Sequence, residues 1–160
     1  MRGIVRTYFP PLPRSVTTLQ AGGLVNAFGN GAVLPFTFIY LHNVRGIELG
    51  PTGLIIATNA VVSLVAGPVF GVLIDRLGGR RMLATALGIL TVGYCAYPLV
   101  HQAWQGFLVA AVTGIGIGGF WPSQSTLIAG LTPAEQRTAA FAMQRVVMNL
   151  GIGLGALAGG

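Results

Sequence analysis

The fold of this chain is decided by one stretch, Gly71-Val72-Leu73-Ile74-Asp75-Arg76-Leu77-Gly78-Gly79-Arg80-Arg81-Met82-Leu83. The stretch places one carboxylate and three guanidinium groups between two long apolar runs. A charged side chain costs about 2.5–3.5 kcal/mol at the centre of a membrane helix, whereas at the membrane surface it stays in water. The stretch therefore predicts a turn between two membrane helices, and we call residues 71–83 the charged turn.

The composition extends this interpretation to the whole chain. Of 160 residues, 53% are hydrophobic and only 8% are charged, whereas soluble domains carry about 25% charged residues. Residues 15–44, 49–74 and 82–134 carry no charge, and the last run is interrupted by the polar segment 101–105. Since a spanning helix needs about 20 apolar residues, these runs predict four helices, and residues 138–160 predict a fifth. We expect an all-α integral membrane protein with helices at about 15–40, 49–74, 82–100, 106–131 and 138–160.

The arginines predict the topology. Seven of them fall on alternate connections, only Arg45 falls on the opposite side, and Arg145 lies within a helix; the seven are Arg2, Arg6, Arg14, Arg76, Arg80, Arg81 and Arg137. Because positively charged loops stay in the cytoplasm, residues 1–14 are predicted to be a cytoplasmic tail. The net charge of +6 does not indicate a nucleic-acid partner, since the basic residues are scattered along the chain. Before the fifth helix, Thr132-Pro133-Ala134-Glu135 resembles a capping box.

The spacing G-x-L-x-D-R-x-G-x-R-x-x-L in the charged turn resembles the cytoplasmic loop signature between helices two and three of major facilitator superfamily transporters. The matching residues are Gly71, Leu73, Asp75, Arg76, Gly78, Arg80 and Leu83, with Arg81 in the same turn. The resemblance implies that residues 15–160 are the N-terminal transmembrane half of a transporter. Because such halves contain six helices, five helices imply a half that is incomplete at its C-terminus, and the missing C-terminal half becomes an expected partner.

The resemblance also implies a role for the charged turn. Asp75 would reach the N-terminal dipole of a helix in the other half and pair with neighbouring arginines, which would stabilise the state open to the outside. Gly79 departs from the family pattern, which usually has a basic residue at this position. The alternative interpretation is that these charges only anchor the topology.

A second signature lies in the fifth helix. Its glycines resemble the antiporter signature G-x-x-x-G-P-x-x-G-G, although Ala156 replaces the proline; they are Gly151, Gly155, Gly159 and Gly160. Small residues at this spacing also let two helices pack closely, which is the alternative interpretation. Gly114-Ile115-Gly116-Ile117-Gly118-Gly119 lies in mid-span without a preceding strand, so it indicates helix packing rather than a dinucleotide site.

Several polar residues within the apolar runs are candidates for substrate contacts. The resemblance implies that helices one and four line a central cavity, which makes Asn26, Asn30, Trp121 and Gln124 candidates; hydrogen bonds between helices are the alternative. Arg145 is a functional candidate because an arginine inside a membrane helix usually faces a cavity or a partner. Asn149 and Phe141 share its helix face, and a snorkelling Arg145 is the alternative.

Taken with the resemblance, these features predict a secondary active transporter of the bacterial inner membrane, an antiporter that exports a drug or metabolite by alternating access with protons as partners. The alternatives are a sugar or nutrient uniporter or symporter, and a non-transporting membrane scaffold. No catalytic triad, metal cluster or phosphate loop is visible in the sequence, so we expect neither an enzyme nor a cofactor. The three carboxylates of the chain, Glu48, Asp75 and Glu135, all lie near predicted helix ends.

Overall fold

The computed structural model of this chain describes residues 12–159, except for the side chains of Leu34 and Pro35. The predicted tail residues Arg2 and Arg6, and Gly160 of the glycine signature, lie outside the described residues. Within them the fold is all-helical, with the long helices α1 (Arg14–Ile39), α2 (Leu49–Leu77), α3 (Gly79–Ala96), α4 (Ala103–Leu131) and α5 (Arg137–Gly159). A π-helical turn (Tyr40–Val44) follows α1, and 3₁₀ turns follow α3 (Tyr97–Leu99) and precede α5 (Ala134–Gln136).

All five of these helices are long and apolar enough to span a membrane. Large apolar side chains are exposed along them, such as Leu64 at 76% and Leu157 at 82%. Water would disfavour that much exposed apolar surface, whereas lipid chains do not. The chain is an all-α integral membrane protein.

The helices form two compact units. One unit contains α1 up to Thr37 together with the chain from Ile128 onward, so its main contact is between α1 and α5. Its apolar core contains Val16, Ile128 and Ala140, with Phe141 packed against them. The other unit, residues 38–127, contains α2, α3 and most of α4.

Glycines let α1 and α5 approach closely. A Cβ atom at Gly151 would lie 2.6 Å from the Ala27 Cβ, and one at Gly155 would overlap the carbonyl oxygen of Phe28. A Cβ at Gly159 would meet the Phe36 ring at 2.6 Å. In these three positions of the fifth-helix signature, the absence of a side chain is what permits the contact with α1.

A second seam of glycines joins α4 to α2. A Cβ atom at Gly114 would lie 2.7 Å from the backbone oxygen of Asn59, and one at Gly118 would lie 2.8 Å from the Ala66 Cβ. The glycines that superficially resemble a nucleotide fingerprint therefore lie at a helix–helix contact. In addition, α2, α3 and α4 share one apolar core, made of Ala66, Phe70, Ile74, Met82, Ala86, Leu90 and Phe120.

The charged turn is tighter than the sequence predicted. α2 continues to Leu77 rather than ending at residue 74, and α3 begins at Gly79 rather than at residue 82. Gly78 alone separates the two helices, with φ +85° and ψ 145°. Only glycine adopts such a positive φ readily, so the chain reverses within one residue and the charges lie on helical turns.

The capping box predicted before α5 is absent. Pro133 precedes a 3₁₀ turn without any side-chain cap, and the buried hydroxyl of Thr132 has no hydrogen-bond partner. The turn is closed instead by the backbone, with Gln136 N donating to Pro133 O at 2.9 Å. The α4 boundary also differs from the prediction, because the Gln105 side chain accepts hydrogen bonds from the backbone N–H groups of His101 and Gln102 and α4 starts at Ala103.

Candidate functional site

The charged turn presents its charges to the surroundings of the helix bundle. Asp75 and Arg76 are exposed in the last turn of α2, and Arg80 and Arg81 are exposed in the first turn of α3. Leu73 is half-buried and packs against the shared core of the three helices. This core fixes the position of the charged turn, while the charged groups of the turn remain accessible.

The glycines of the turn differ in what they do. Gly78 supplies the positive φ, whereas a Cβ atom at Gly71 would meet nothing within 4 Å in the described chain. At Gly79 a Cβ would lie 3.3 Å from the Leu127 side chain and 3.5 Å from the Ser123 carbonyl oxygen. Gly79, which departs from the family pattern, therefore lies where α3 packs on α4.

Asp75 makes no ion pair within this part of the protein. Between residues 12 and 159, no carboxylate oxygen lies within 4 Å of an arginine nitrogen. The expected pairing of Asp75 with neighbouring arginines is therefore not formed here. Adjacent residues such as Asp75 and Arg76 point in different directions on a helix, and the other two arginines belong to α3. The first turn of α3 also carries no acidic residue and no side-chain cap, so Asp75 does not cap it.

The candidates on α1 bond to each other. Asn26 and Asn30 are both half-buried, and the Asn30 Nδ2 donates to the Asn26 Oδ1 at 3.0 Å. Thr37, further along α1, donates to the carbonyl of Val33 within its own helix. The two carboxamides thus form one polar patch over a single turn of an apolar helix.

The candidates on α4 have different environments. Trp121 is half-buried and packs edge-to-face against Phe120, with ring centroids 5.2 Å apart and an interplanar angle of 82°. Gln124 is 1% exposed, so its side chain is buried within the described chain. The half-buried aromatic ring is partly accessible to a ligand, whereas the buried carboxamide is not.

Arg145 and Asn149 are both exposed, one helical turn apart on α5. Phe141, predicted on the same face, is half-buried against Val16 and Ala140. Of the three residues predicted to share this face, only Arg145 and Asn149 are therefore exposed. The α5 residues that contact α1, such as Gly151 and Gly155, lie on a different side of the helix.

Two amides at helix contacts, the buried Gln20 and the half-buried Asn59, were not predicted from the sequence. The Gln20 side chain is 1% exposed, its Nε2 donates to the Ala140 carbonyl at 3.2 Å, and its Oε1 has no hydrogen-bond partner. In the other unit, Asn59 Nδ2 donates to the Ala110 carbonyl at 3.2 Å and to Thr113 Oγ1 at 2.8 Å. Each amide lies on the packing side of its helix. The signal in the sequence was a polar residue on the same helix face as buried apolar ones, as Gln20 is four positions after Val16.

Arg45 is the arginine that departs from the predicted charge distribution, and the structure gives it three contacts. Its Nε donates to the Tyr40 hydroxyl at 2.7 Å, and its guanidinium carbon lies 5.1 Å from the centroid of the Tyr40 ring. A terminal guanidinium nitrogen donates to the carbonyl of Pro98, in the 3₁₀ turn that ends α3. A cation at a helix C-terminus satisfies carbonyl groups that have no partner within the helix. Arg45 thus ties the α1–α2 connection to the end of α3.

Known proteins resemble this chain over most of its length. Residues 20–160 match the sequence model of the Major Facilitator Superfamily. The uncharacterized MFS-type transporter YttB of Bacillus subtilis (strain 168) is 27% identical over 150 residues, which cover 93% of this chain and 37% of YttB. A second such transporter from the same organism, YqjV, is 24% identical over 142 residues, which cover 89% of this chain and 35% of YqjV.

A further relative carries a functional name. The quinolone resistance protein NorA of Staphylococcus aureus is 27% identical over 132 residues, which cover 82% of this chain and 34% of NorA. The chain therefore spans about a third of the length of the curated relatives it matches.

Proposed function

Because this chain belongs to the Major Facilitator Superfamily, we propose that it forms part of a secondary transporter that exports a small molecule by alternating access, in exchange for protons. The observation that carries export is the similarity to NorA, whose name states quinolone resistance. The expected substrate is accordingly a drug or a metabolite of drug-like chemistry. The expected location is the bacterial inner membrane, with the N-terminus in the cytoplasm.

Polar groups inside apolar helices support a transport path. Asn26 and Asn30 on α1 and Trp121 on α4 are half-buried, and Arg145 on α5 is exposed. Polar and charged groups at membrane depth are costly unless they face a cavity or a partner. We infer that Asn26, Asn30 and Arg145, which belong to one unit, contact the substrate, and that Trp121 in the other unit is a separate candidate for a substrate contact.

The charged turn supports a gate. Asp75 is exposed and has no ion pair within the described chain, so its charge is available to a helix N-terminus elsewhere in a longer protein. Such a contact would hold one of the two alternating states. The C-terminal half of the transporter is the partner that we propose for it.

Proton coupling needs a group that binds and releases protons. The carboxylates of this chain lie at helix ends, with Glu48 at the start of α2, Asp75 in the last turn of α2, and Glu135 before α5. We therefore propose that α1–α5 contribute substrate contacts and the gate, and that the proton-carrying carboxylate belongs to the partner half.

A transport measurement tests the proposal. A quinolone is added outside inverted membrane vesicles that contain the full-length protein. Its uptake is measured with and without a proton gradient that is acidic inside the vesicles. We expect uptake that requires the gradient and is abolished by a protonophore, relative to vesicles without the protein. Equilibration without a gradient would indicate a uniporter, and no protein-dependent flux of any tested solute would indicate a scaffold.

A further inference from the structure

Arg145 carries a charge far from either end of α5. It lies about 12 Å further along the helix axis than Arg137, and Asn149 lies about 6 Å beyond it. Both side chains are exposed on the helix bundle. An arginine that faced lipid at this depth would be costly, so this side of α5 requires a polar neighbour.

The described chain supplies no negative charge to Arg145. Its carboxylates, Glu48, Asp75 and Glu135, are at helix ends, and none lies within 4 Å of any arginine nitrogen between residues 12 and 159. Arg145 is exposed, whereas the α5 glycines that contact α1, Gly151 and Gly155, lie on a different side of the helix.

The chemistry of the pair selects its ligand. A guanidinium offers a planar fork of N–H donors that matches the two oxygens of a carboxylate, and such charge-assisted pairs are shorter and stronger than neutral ones. A carboxamide one turn further along the same side adds N–H donors in reach of the same anion. A lysine or a lone polar residue would not provide this combination.

We propose that Arg145 and Asn149 together bind a carboxylate group. The inference deepens the proposed function and rests on it in one respect, that this side of α5 borders the transport path. The carboxylate belongs either to an anionic substrate or to an acidic side chain of the protein outside residues 12–159. The chemistry is the same for both sources, and two measurements separate them.

The first measurement is equilibrium binding of radiolabelled benzoate and benzamide to the full-length protein in nanodiscs, without any ion gradient. If the carboxylate belongs to a substrate, benzoate binds at least tenfold more weakly to Arg145→Gln, and Arg145→Lys keeps part of the affinity. Asn149→Asp places a competing carboxylate beside Arg145 and should abolish benzoate binding. Benzamide binding should not change in any variant, and Arg137→Gln, at the start of the same helix, should bind benzoate normally.

The second measurement is the melting temperature of the same variants at pH 7.5 and pH 5. If the carboxylate is a side chain of the protein, Arg145→Gln leaves it unpaired. The variant then melts at a lower temperature than wild type at pH 7.5 and recovers at pH 5, because protonation removes the unpaired charge. Arg137→Gln should show no such pH-dependent loss.

Equal benzoate binding and equal melting temperatures for the Arg, Lys and Gln forms would overturn the proposal and leave Arg145 as a snorkelling residue. Binding is measured at equilibrium, so its outcome is independent of the transport experiment. Benzoate binding that depends on Arg145, in a protein without gradient-driven flux, would contradict the proposed function and not this inference. Gradient-driven export with no effect of Arg145→Gln on benzoate binding or on the melting temperature would contradict this inference and not the proposed function.

Discussion

The guanidinium of Arg45 donates to a tyrosine hydroxyl and to a backbone carbonyl and stacks over an aromatic ring. In the predicted topology Arg45 lies on the outer side, where a positive charge goes against the usual charge distribution. Its contacts with Tyr40 and with the end of α3 explain why an arginine is used there. A lysine would give the charge, but it could not donate in two fixed directions while stacking on a ring.

We predict that Arg45→Gln lowers the free energy of unfolding by about 1.5–3 kcal/mol, since hydrogen bonds to charged groups contribute that much. Tyr40→Phe should cost less, and the double variant should cost less than the sum of the two because the partners are shared. Thermal unfolding in detergent measures all three. Glu48→Gln, an exposed neighbour in the same connection, is the control. Additive losses would show that Arg45 and Tyr40 act independently.

The charge of Asp75 gives the second prediction at this scale. Asp75→Asn keeps the size of the side chain and removes the charge, and no hydrogen bond or ion pair within the described chain is lost. We expect transport to fall strongly while the amount of protein in the membrane stays near normal. Glu135→Gln, another exposed carboxylate at a helix end, should transport normally. Full transport by the Asp75→Asn variant would reduce the charged turn to a topology anchor.

At the scale of the helices, glycines decide which faces pack. α5 has glycines at positions 151, 153 and 155, yet their surroundings differ. A Cβ atom at Gly155 would overlap the backbone of α1, whereas one at Gly153 would meet nothing within 4 Å in the described chain. Composition alone does not distinguish these glycines, because the difference lies in which side of α5 faces α1.

This difference gives a matched pair of substitutions. Gly155→Ala should destabilise the protein by about 1–3 kcal/mol, because the extra methyl group forces α1 and α5 apart. Gly153→Ala should be neutral or slightly stabilising, since alanine favours a helix more than glycine does. Resistance to unfolding by heat or detergent measures both. A loss of stability in Gly153→Ala as large as in Gly155→Ala would contradict the packing described for α5.

At the scale of the whole molecule, the charge distribution predicts an orientation. All seven arginines predicted to be cytoplasmic lie at helix ends or in the predicted N-terminal tail, and the charged turn holds three of them. Positively charged connections remain in the cytoplasm, so the charged turn and the connection at residues 101–102 should lie on opposite sides of the membrane.

Single cysteines test this orientation. In a Cys95→Ser background, Leu77→Cys should react with an impermeant maleimide only from the cytoplasmic side, and Gln102→Cys only from the outside. Leu77 is preferable to Gly79, because it is exposed whereas Gly79 contacts the Leu127 side chain. Labelling of both positions from the same side would contradict the predicted topology.

The sequence by itself determined the class of the protein and the approximate position of its helices. The uncharged runs are long enough to cross a bilayer, and lipid leaves the backbone of each run little choice but to form a helix. The family was also visible in the sequence, because the charged turn carries its signature in consecutive residues. These properties depend on local composition and on the solvent, so no contact between distant residues is needed to predict them.

The tertiary structure alone decided which polar residues are buried and which are available. Gln20 and Ala140 are 120 residues apart, and Arg45 and Pro98 are 53 apart, so neither bond could be inferred from neighbouring residues. The single-residue turn at Gly78 and the missing capping box at Thr132 likewise follow from how the helices pack on either side of them. Hydropathy reports the cost of placing a residue in lipid, whereas partners, exposure and helix ends depend on which helix faces meet. That is why Asn59, Gln20 and the contacts of Arg45 became visible only in the fold.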